Sequence, residues 1–144
     1  MTALNDTERQ ALESALDDEY RSHATYAQVI QDHGAVRPFV KIVDAEARHV
    51  SALLSVFDKY GIPAPANRWL GNVPRFASVQ EACVAGVQGE IDNVAIYDRA
   101  LKTTERTDIL AVYHALRSAS LDRHLPAFQR CATRGHERHG GRNE

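Results

Sequence analysis

Apolar residues recur at three- and four-residue intervals through most of the chain, the spacing that gathers them on one face of an α-helix. No stretch alternates apolar and polar residues as a half-buried strand does, so an all-helical fold of four amphipathic helices is expected. The first helix should begin after Asn5 or Asp6, either of which can cap its free amides, and close at Gly34. Its inward stripe reads Leu12, Leu16, Glu19, His23, Tyr26 and Ile30. The second should start near Pro38, which a first turn tolerates, and stop at Gly61-Ile62-Pro63. Its stripe is Phe39, Ile42, Glu46, His49, Leu53 and Phe57.

Periodicity then fails from Gly61 to Ala77, where Pro63, Pro65, Gly71 and Pro74 fall. This stretch is long enough to run the length of a bundle as an ordered crossover, pinned by Trp69 and Phe76, and to return the chain in parallel. Ser78 with Glu81 three residues on has the spacing of a capping box and opens the third helix, with a stripe of Cys83, Val87, Glu90, Val94, Tyr97 and Leu101. Gly86 and Gly89 should weaken it locally. The fourth helix, capped at Thr107 or Asp108, runs through Leu110, Tyr113, Leu116, Leu121, His124 and Phe128, with Pro126 kinking its last turns. One bundle over residues 6–131 results. The polar residues 132–144, including His136 and His139, are expected to fray as a solvated tail.

Charge changes this picture little. Seventeen Lys plus Arg against nineteen Asp plus Glu give a net charge of −2, with no basic excess to draw nucleic acid or anionic lipid. The polar, acidic start lacks the form of a secretory signal, and no apolar run reaches membrane-spanning length, so a cytoplasmic address is the expectation. Cys83 and Cys131 lie far apart with no Cys-x-x-Cys pair, and are expected as reduced, buried, inert thiols.

The chemistry lies on the inward stripes themselves. Glu19, Glu46, His49, Glu90 and His124 all fall there, and burying bare carboxylates is so costly that they must protonate or find a cation. Glu46 and His49, three residues apart, share one helix face about a turn apart and can hold one ion. A lone Glu-x-x-His carries little weight, but the chain repeats itself. Leu16, Glu19 and Tyr26 match Val87, Glu90 and Tyr97 in spacing, and Arg48-His49-Val50-x-Ala52-Leu53 matches Arg123-His124-Leu125-x-Ala127-Phe128. Two facing hairpins would bring a Glu from each first helix and a His from each second helix to one centre, as a dinuclear carboxylate site requires. The competing arrangement pairs these groups with Arg48, Arg117 or Arg123 and holds no metal.

This order of Glu, Glu-x-x-His, Glu and His on successive helices resembles the ferritin and rubrerythrin superfamily over about residues 6 to 131. Leu16-Asp17-Asp18-Glu19-Tyr20, Glu46-Ala47-Arg48-His49 and Ser120-x-x-x-His124-Leu125-x-Ala127-Phe128 are similar to a group of uncharacterised bacterial and archaeal ferritin-like domains. The resemblance implies two transition-metal ions, iron or iron with manganese, bridged by carboxylates and acting on iron, oxygen or peroxide. Turnover would require an external electron donor, because the four-cysteine module usual in rubrerythrins is not in this sequence. A homodimer is compatible with the resemblance.

One departure concerns charge. The superfamily pattern has Glu three residues before the last histidine, where this chain has Leu121. Three carboxylates leave one positive charge of two divalent ions to be balanced from elsewhere, so the second ion is expected to bind more weakly. His23, a turn after Glu19, is a candidate replacement ligand or outer partner. Tyr26 and Tyr97, seven residues beyond their glutamates, stand about 10 Å along the axis and are candidates for outer hydrogen bonds, electron supply or plain packing. Asp122 should face outward. The functional classes left open are a dinuclear oxidoreductase of ferroxidase or peroxidase type, a metal-storage protein without catalysis, and a metal-free helical interaction module.

Overall fold

The computed structural model describes residues 2–141, with side chains described for 2–134. The helices are α1 (Asp6–His33), α2 (Phe39–Lys59), α3 (Val79–Ala100), α4 (Thr107–Ala119) and α5 (Leu125–Gly141), the last two joined through a π-helical turn, Ser120–His124. There is no strand among the described residues. None of the described helices is long and apolar enough to cross a membrane.

Local chemistry sets the helix ends. Asn5 accepts the Glu8 amide while Glu8 accepts that of Asn5, closing a reciprocal cap, and Gly34 ends α1 with φ of 91°. At α3, Ser78 accepts the Glu81 amide, but the Glu81 carboxylate bonds the amide of Ala77, one residue short of a reciprocal box. α4 opens at Thr107 after Arg106, with no side-chain cap. Residues beyond Thr133, expected to fray, continue α5 as far as Gly141. The side chains of His136 and His139 lie outside those described.

Contacts fix the directions. Glu19 meets His49 and Tyr26 packs on Phe39, so α1 and α2 are antiparallel. Tyr26 reaches Glu90, Asp18 reaches Asn93 and Glu8 reaches Thr104, so α3 also runs against α1. The rod of α4, the π turn and α5 runs against α3, through Arg117 with Asp98, Ser120 with Asn93 and Gln80 with Ala132. Between α2 and α3, the connecting segment lies along α1: Arg68 and Trp69 bond Asp17, Arg75 bonds Asp32, and His33 bonds the Phe76 carbonyl. Trp69 and Phe76 are both partly buried there, as the sequence suggests for residues that pin this segment.

Two apolar clusters fill the bundle. One holds Leu12, Leu16, Leu53, Phe57, Tyr97, Ile109 and Tyr113, and the other Tyr26, Val29, Phe39, Ile42, Cys83, Phe128 and Cys131. The expected α2 stripe is buried throughout. On α3 only Cys83, Glu90 and Tyr97 of the expected stripe are buried; Val87, Val94 and Leu101 are half-buried, and Gly86, Gly89, Asn93 and Ala100 take the inner face. The small residues there permit close approach. A Cβ on Gly86 would stand 2.7 Å from the Phe128 ring, itself held by Tyr26 at 5.1 Å and Phe39 at 5.2 Å between centroids. Gly86→Ala is therefore expected to destabilise the fold. Overpacking costs about 1–3 kcal/mol against a helix-propensity gain of about 1 kcal/mol. Gly89→Ala meets the Arg21 guanidinium at 3.4 Å and the Tyr26 hydroxyl at 3.8 Å, ordinary contacts, and should be tolerated. Urea midpoints of the two variants give the comparison.

The cysteines depart from expectation. Cys83 and Cys131 form a disulfide between α3 and α5, with Cα atoms 5.9 Å apart. Sequence distance concealed the pairing, because only the antiparallel packing of α3 on α5 brings residues 48 apart together.

Candidate metal centre

Asp17-Asp18-Glu19 shows how a helix sorts three like charges. At 100° per residue they splay, Asp17 to the connecting segment, Asp18 to Arg21 and Asn93, and Glu19 into the core with no exposed surface. Glu46 and His49 enter from α2, Glu90 from α3 and His124 from the π turn, all buried and lying between the two apolar clusters.

Two ligand-like groups result, and Glu46 belongs to both. Glu19, Glu46 and His49 offer atoms within 4.8 Å of one another, as do Glu46, Glu90 and His124. The Glu46 carboxylate spans the pair: Oε2 lies 3.5 Å from His49 Nδ1, and Oε1 lies 3.2 Å from His124 Nδ1. Glu19 Oε1 completes the first group at 3.4 Å from His49 Nδ1, and Glu90 Oε1 the second at 3.4 Å from His124 Nδ1. The imidazole rings stack 5.4 Å apart.

Apart from a long hydrogen bond between His49 Nδ1 and Glu19 Oε1, these atoms converge without satisfying one another. Glu46 Oε2, Glu90 Oε1 and His124 Nδ1 are fully buried and make no hydrogen bond, although each has an oppositely polar neighbour within 3.5 Å. Buried polar atoms are nearly always bonded, so atoms aimed at a common point and not at each other fit a cation between them. The arginine alternative does not hold. Arg48 and Arg123 are exposed, and Arg117 pairs with Asp98.

Protonation agrees with crowding of like charge. Burial, and then the Glu46 carboxylate beside it, pushes Glu19 up to about 8. Burial also works to raise Glu46, but its close neighbours Glu19, His124 and His49 overcome it and hold that group below its ordinary value. For the histidines burial works downward and is outweighed by their carboxylate partners, so His49 rises to about 10 and His124 to about 9. Without a cation the cluster stores protons that a bound cation would displace.

The candidate outer residues divide. Tyr26 donates to Glu90 Oε2 at 2.5 Å and Tyr97 donates to Glu19 Oε2, each crossing to the glutamate of the other hairpin. The seven-residue offset along one helix had suggested distance, but antiparallel packing sets each tyrosine level with the opposite carboxylate. His23 is a correction: it is partly exposed and belongs to neither ligand group, because the inward arc of α1 passes through Ser22, Tyr26 and Val29.

Leu121 is a second correction. It is 37% exposed where the expected stripe would bury it, and Ser120 is wholly buried instead. Ser120 stands four residues before His124 and shares its inward face, while Leu121, five residues after the buried Leu116, falls off that face in the π turn that Ser120 and His124 bound. Pro126 follows directly: with no amide to give the Asp122 carbonyl and a ring that crowds it, proline favours a widened turn before it, where a kink within the last turns had been expected. Asp122 is exposed, as anticipated.

Sequence reasoning missed a buried bridge beside the centre. Ser120 donates to Asn93 Oδ1 at 2.7 Å, and Asn93 Nδ2 donates to Asp18 Oδ2 at 2.7 Å and to Glu19 Oε2 at 3.4 Å. Asn93 could have been found, because it stands three residues after Glu90 on the same face. So could Ser120, which stands four residues before His124 on the same face.

No family model matches the chain, and no curated protein does. Among solved structures, the hypothetical protein MJ0754 of Methanococcus jannaschii superposes with a TM-score of 0.82 at 21% identity, covering 93% of this chain and 84% of its own. The conserved hypothetical protein rv2844 of Mycobacterium tuberculosis superposes with a TM-score of 0.75 at 16% identity, covering 88% and 91%. At such identities the likeness is one of fold, and it establishes a helical bundle shared across nearly the whole chain.

Proposed function

We propose that the chain is a non-haem dinuclear carboxylate protein, an oxidoreductase acting on iron, oxygen or peroxide, built as a ferritin-like bundle with a long crossover between α2 and α3. The single observation that carries this reading is Glu46, whose two oxygens each face a different histidine and leave one buried lone pair unclaimed. Glu19 and His49 would complete one half of the centre, Glu90 and His124 the other, with Glu46 joining them. Two reduced iron ions, or iron with manganese, would supply electrons to oxygen or peroxide. The protein's part is to keep Glu19 and Glu90 oriented through Tyr97 and Tyr26, and to exclude water between the two apolar clusters. The course of residues 60–78 along α1 supports the crossover.

Neither half has a further carboxylate, and the buried Ser120 beside His124 adds none. Ionised, the three acids leave one positive charge of two divalent ions for an outside anion to balance. That favours, as a second reading, a storage protein that binds iron without turning it over. Anaerobic loading with ferrous iron followed by oxygen separates them. Rapid oxygen uptake with an absorbance of bridged ferric iron is expected, and bound iron that oxidises no faster than free iron would leave storage.

A further inference from the structure

Cys83 and Cys131 are the chemically active pair that the proposed centre does not use. Cys83 lies seven residues before Glu90 on α3, and Cys131 seven residues after His124. Because those helices are antiparallel, both offsets lead the same way along the bundle. The sulfurs therefore sit two helical turns, about 10 Å by the helical rise, from the half of the centre that Glu90 and His124 form. Tyr26 and Phe128, with rings 5.1 Å apart, belong to the same buried cluster as both cysteines, and the Tyr26 hydroxyl donates to Glu90. Packed side chains thus run without a break from the sulfur pair to a carboxylate of the centre. A bundle of this size does not need a disulfide to be stable, so a staple alone does not account for the placement.

Reducing a peroxide takes two electrons and two protons, and closing a dithiol to a disulfide releases two of each. We infer that Cys83 and Cys131, as a dithiol, are the internal two-electron donor of the centre, so that the chain is a thiol-dependent peroxide reductase; this rests on the dinuclear reading. Two S–H bonds break and one S–S bond forms, the O–O bond of the peroxide breaks, and two waters form from hydrogen peroxide. The electrons would pass by way of the metal ions that Glu46 and its partners would hold, and the protons end on the peroxide oxygens.

Direct attack of the thiols on peroxide is disfavoured, because that reaction needs an accessible thiolate and these sulfurs lie among Tyr26, Phe39, Phe128 and Ile42. Metal dependence is therefore the signature. The full chain is reduced with dithiothreitol without air, desalted, loaded with ferrous iron and given hydrogen peroxide, and free thiols are counted by alkylation and intact mass. Both thiols should disappear as the disulfide. Peroxide consumption should be about two equivalents per chain, against about one in Cys83→Ser/Cys131→Ser, where only the electrons of the irons are available. Reduced, metal-free protein should keep its thiols over the same time. Equal thiol loss without metal ends the inference, as does unfolding on reduction. Thiols retained while the loaded chain consumes peroxide end it too, but leave the dinuclear reading standing. A chain that takes up no iron ends both.

Discussion

Glu46→Ala is expected to abolish metal binding altogether, while His49→Ala and His124→Ala each remove one half of the centre. The asymmetry follows from geometry: Glu46 belongs to both ligand groups, and each histidine to only one. Metal content after anaerobic loading should fall from about two ions per chain to near zero in the first variant and to about one in the others. The two histidine variants should bind the remaining ion alike, because each keeps a half made of Glu46, one further glutamate and one histidine. Stability gives an independent reading. A ligand that binds only the folded chain raises its melting temperature, so added metal should raise that of the native protein and leave Glu46→Ala unmoved. Glu46→Leu should melt lower than native protein when both are metal-free, because removing the one acid that both imidazoles face leaves their buried charge less compensated. Equal metal content in Glu46→Ala and the native protein would overturn the shared-carboxylate centre.

The metal-free protein should lose stability as pH rises, and the gain in melting temperature from metal should grow over the same range. The direction follows from three groups. Glu19 is raised from 4.5 to about 8, so what its proton contributes is present below 4.5 and lost as pH climbs through 8. His49 and His124 are raised from 6.5 to about 10 and about 9, so their contribution is complete below 6.5 and lost through 9 and 10. Glu46, held low, acts the other way, but only in acid: its contribution is present above 4.5 and lost as pH falls below that value. Glu8 and Asp108, both near 2 through their partners Arg106 and Lys59, likewise matter only at the acid end. Greatest metal-free stability is thus expected between pH 4.5 and 6.5, declining toward pH 10. Metal binding needs these same groups deprotonated, so its advantage widens as theirs shrinks. Melting curves in chelator and in manganese from pH 5 to 9 test both slopes. A metal-free melting temperature that rises across this range would mean that the cluster does not store protons.

Side-chain spacing carried far in this molecule. The α2 stripe from Phe39 to Phe57 is buried as its period implies, and the five ionisable residues on inward arcs do meet. They were legible because a regular helix converts sequence separation into direction, so Glu46 and His49 must share a face and Glu90 must face inward with Cys83 and Tyr97. The errors fall where a stripe strays from that conversion. Leu121 was placed on the stripe although it follows Leu116 by five residues where the buried Ser120 follows by four, and His23 by an arc that α1 turns aside from by a fraction of a turn.

What the sequence determined by itself is therefore the set of helices, their ends at Asn5, Gly34 and Ser78, and the acids and imidazoles that have to be buried together. Each is a local consequence of periodicity, capping or the cost of burying charge. Tertiary structure alone decided which atoms meet: Tyr26 with Glu90, Tyr97 with Glu19, Cys83 with Cys131, and Ser120 with Asn93. Those pairings depend on the relative shift of antiparallel helices. That shift leaves no period in the chain, because the packing of separate segments sets it.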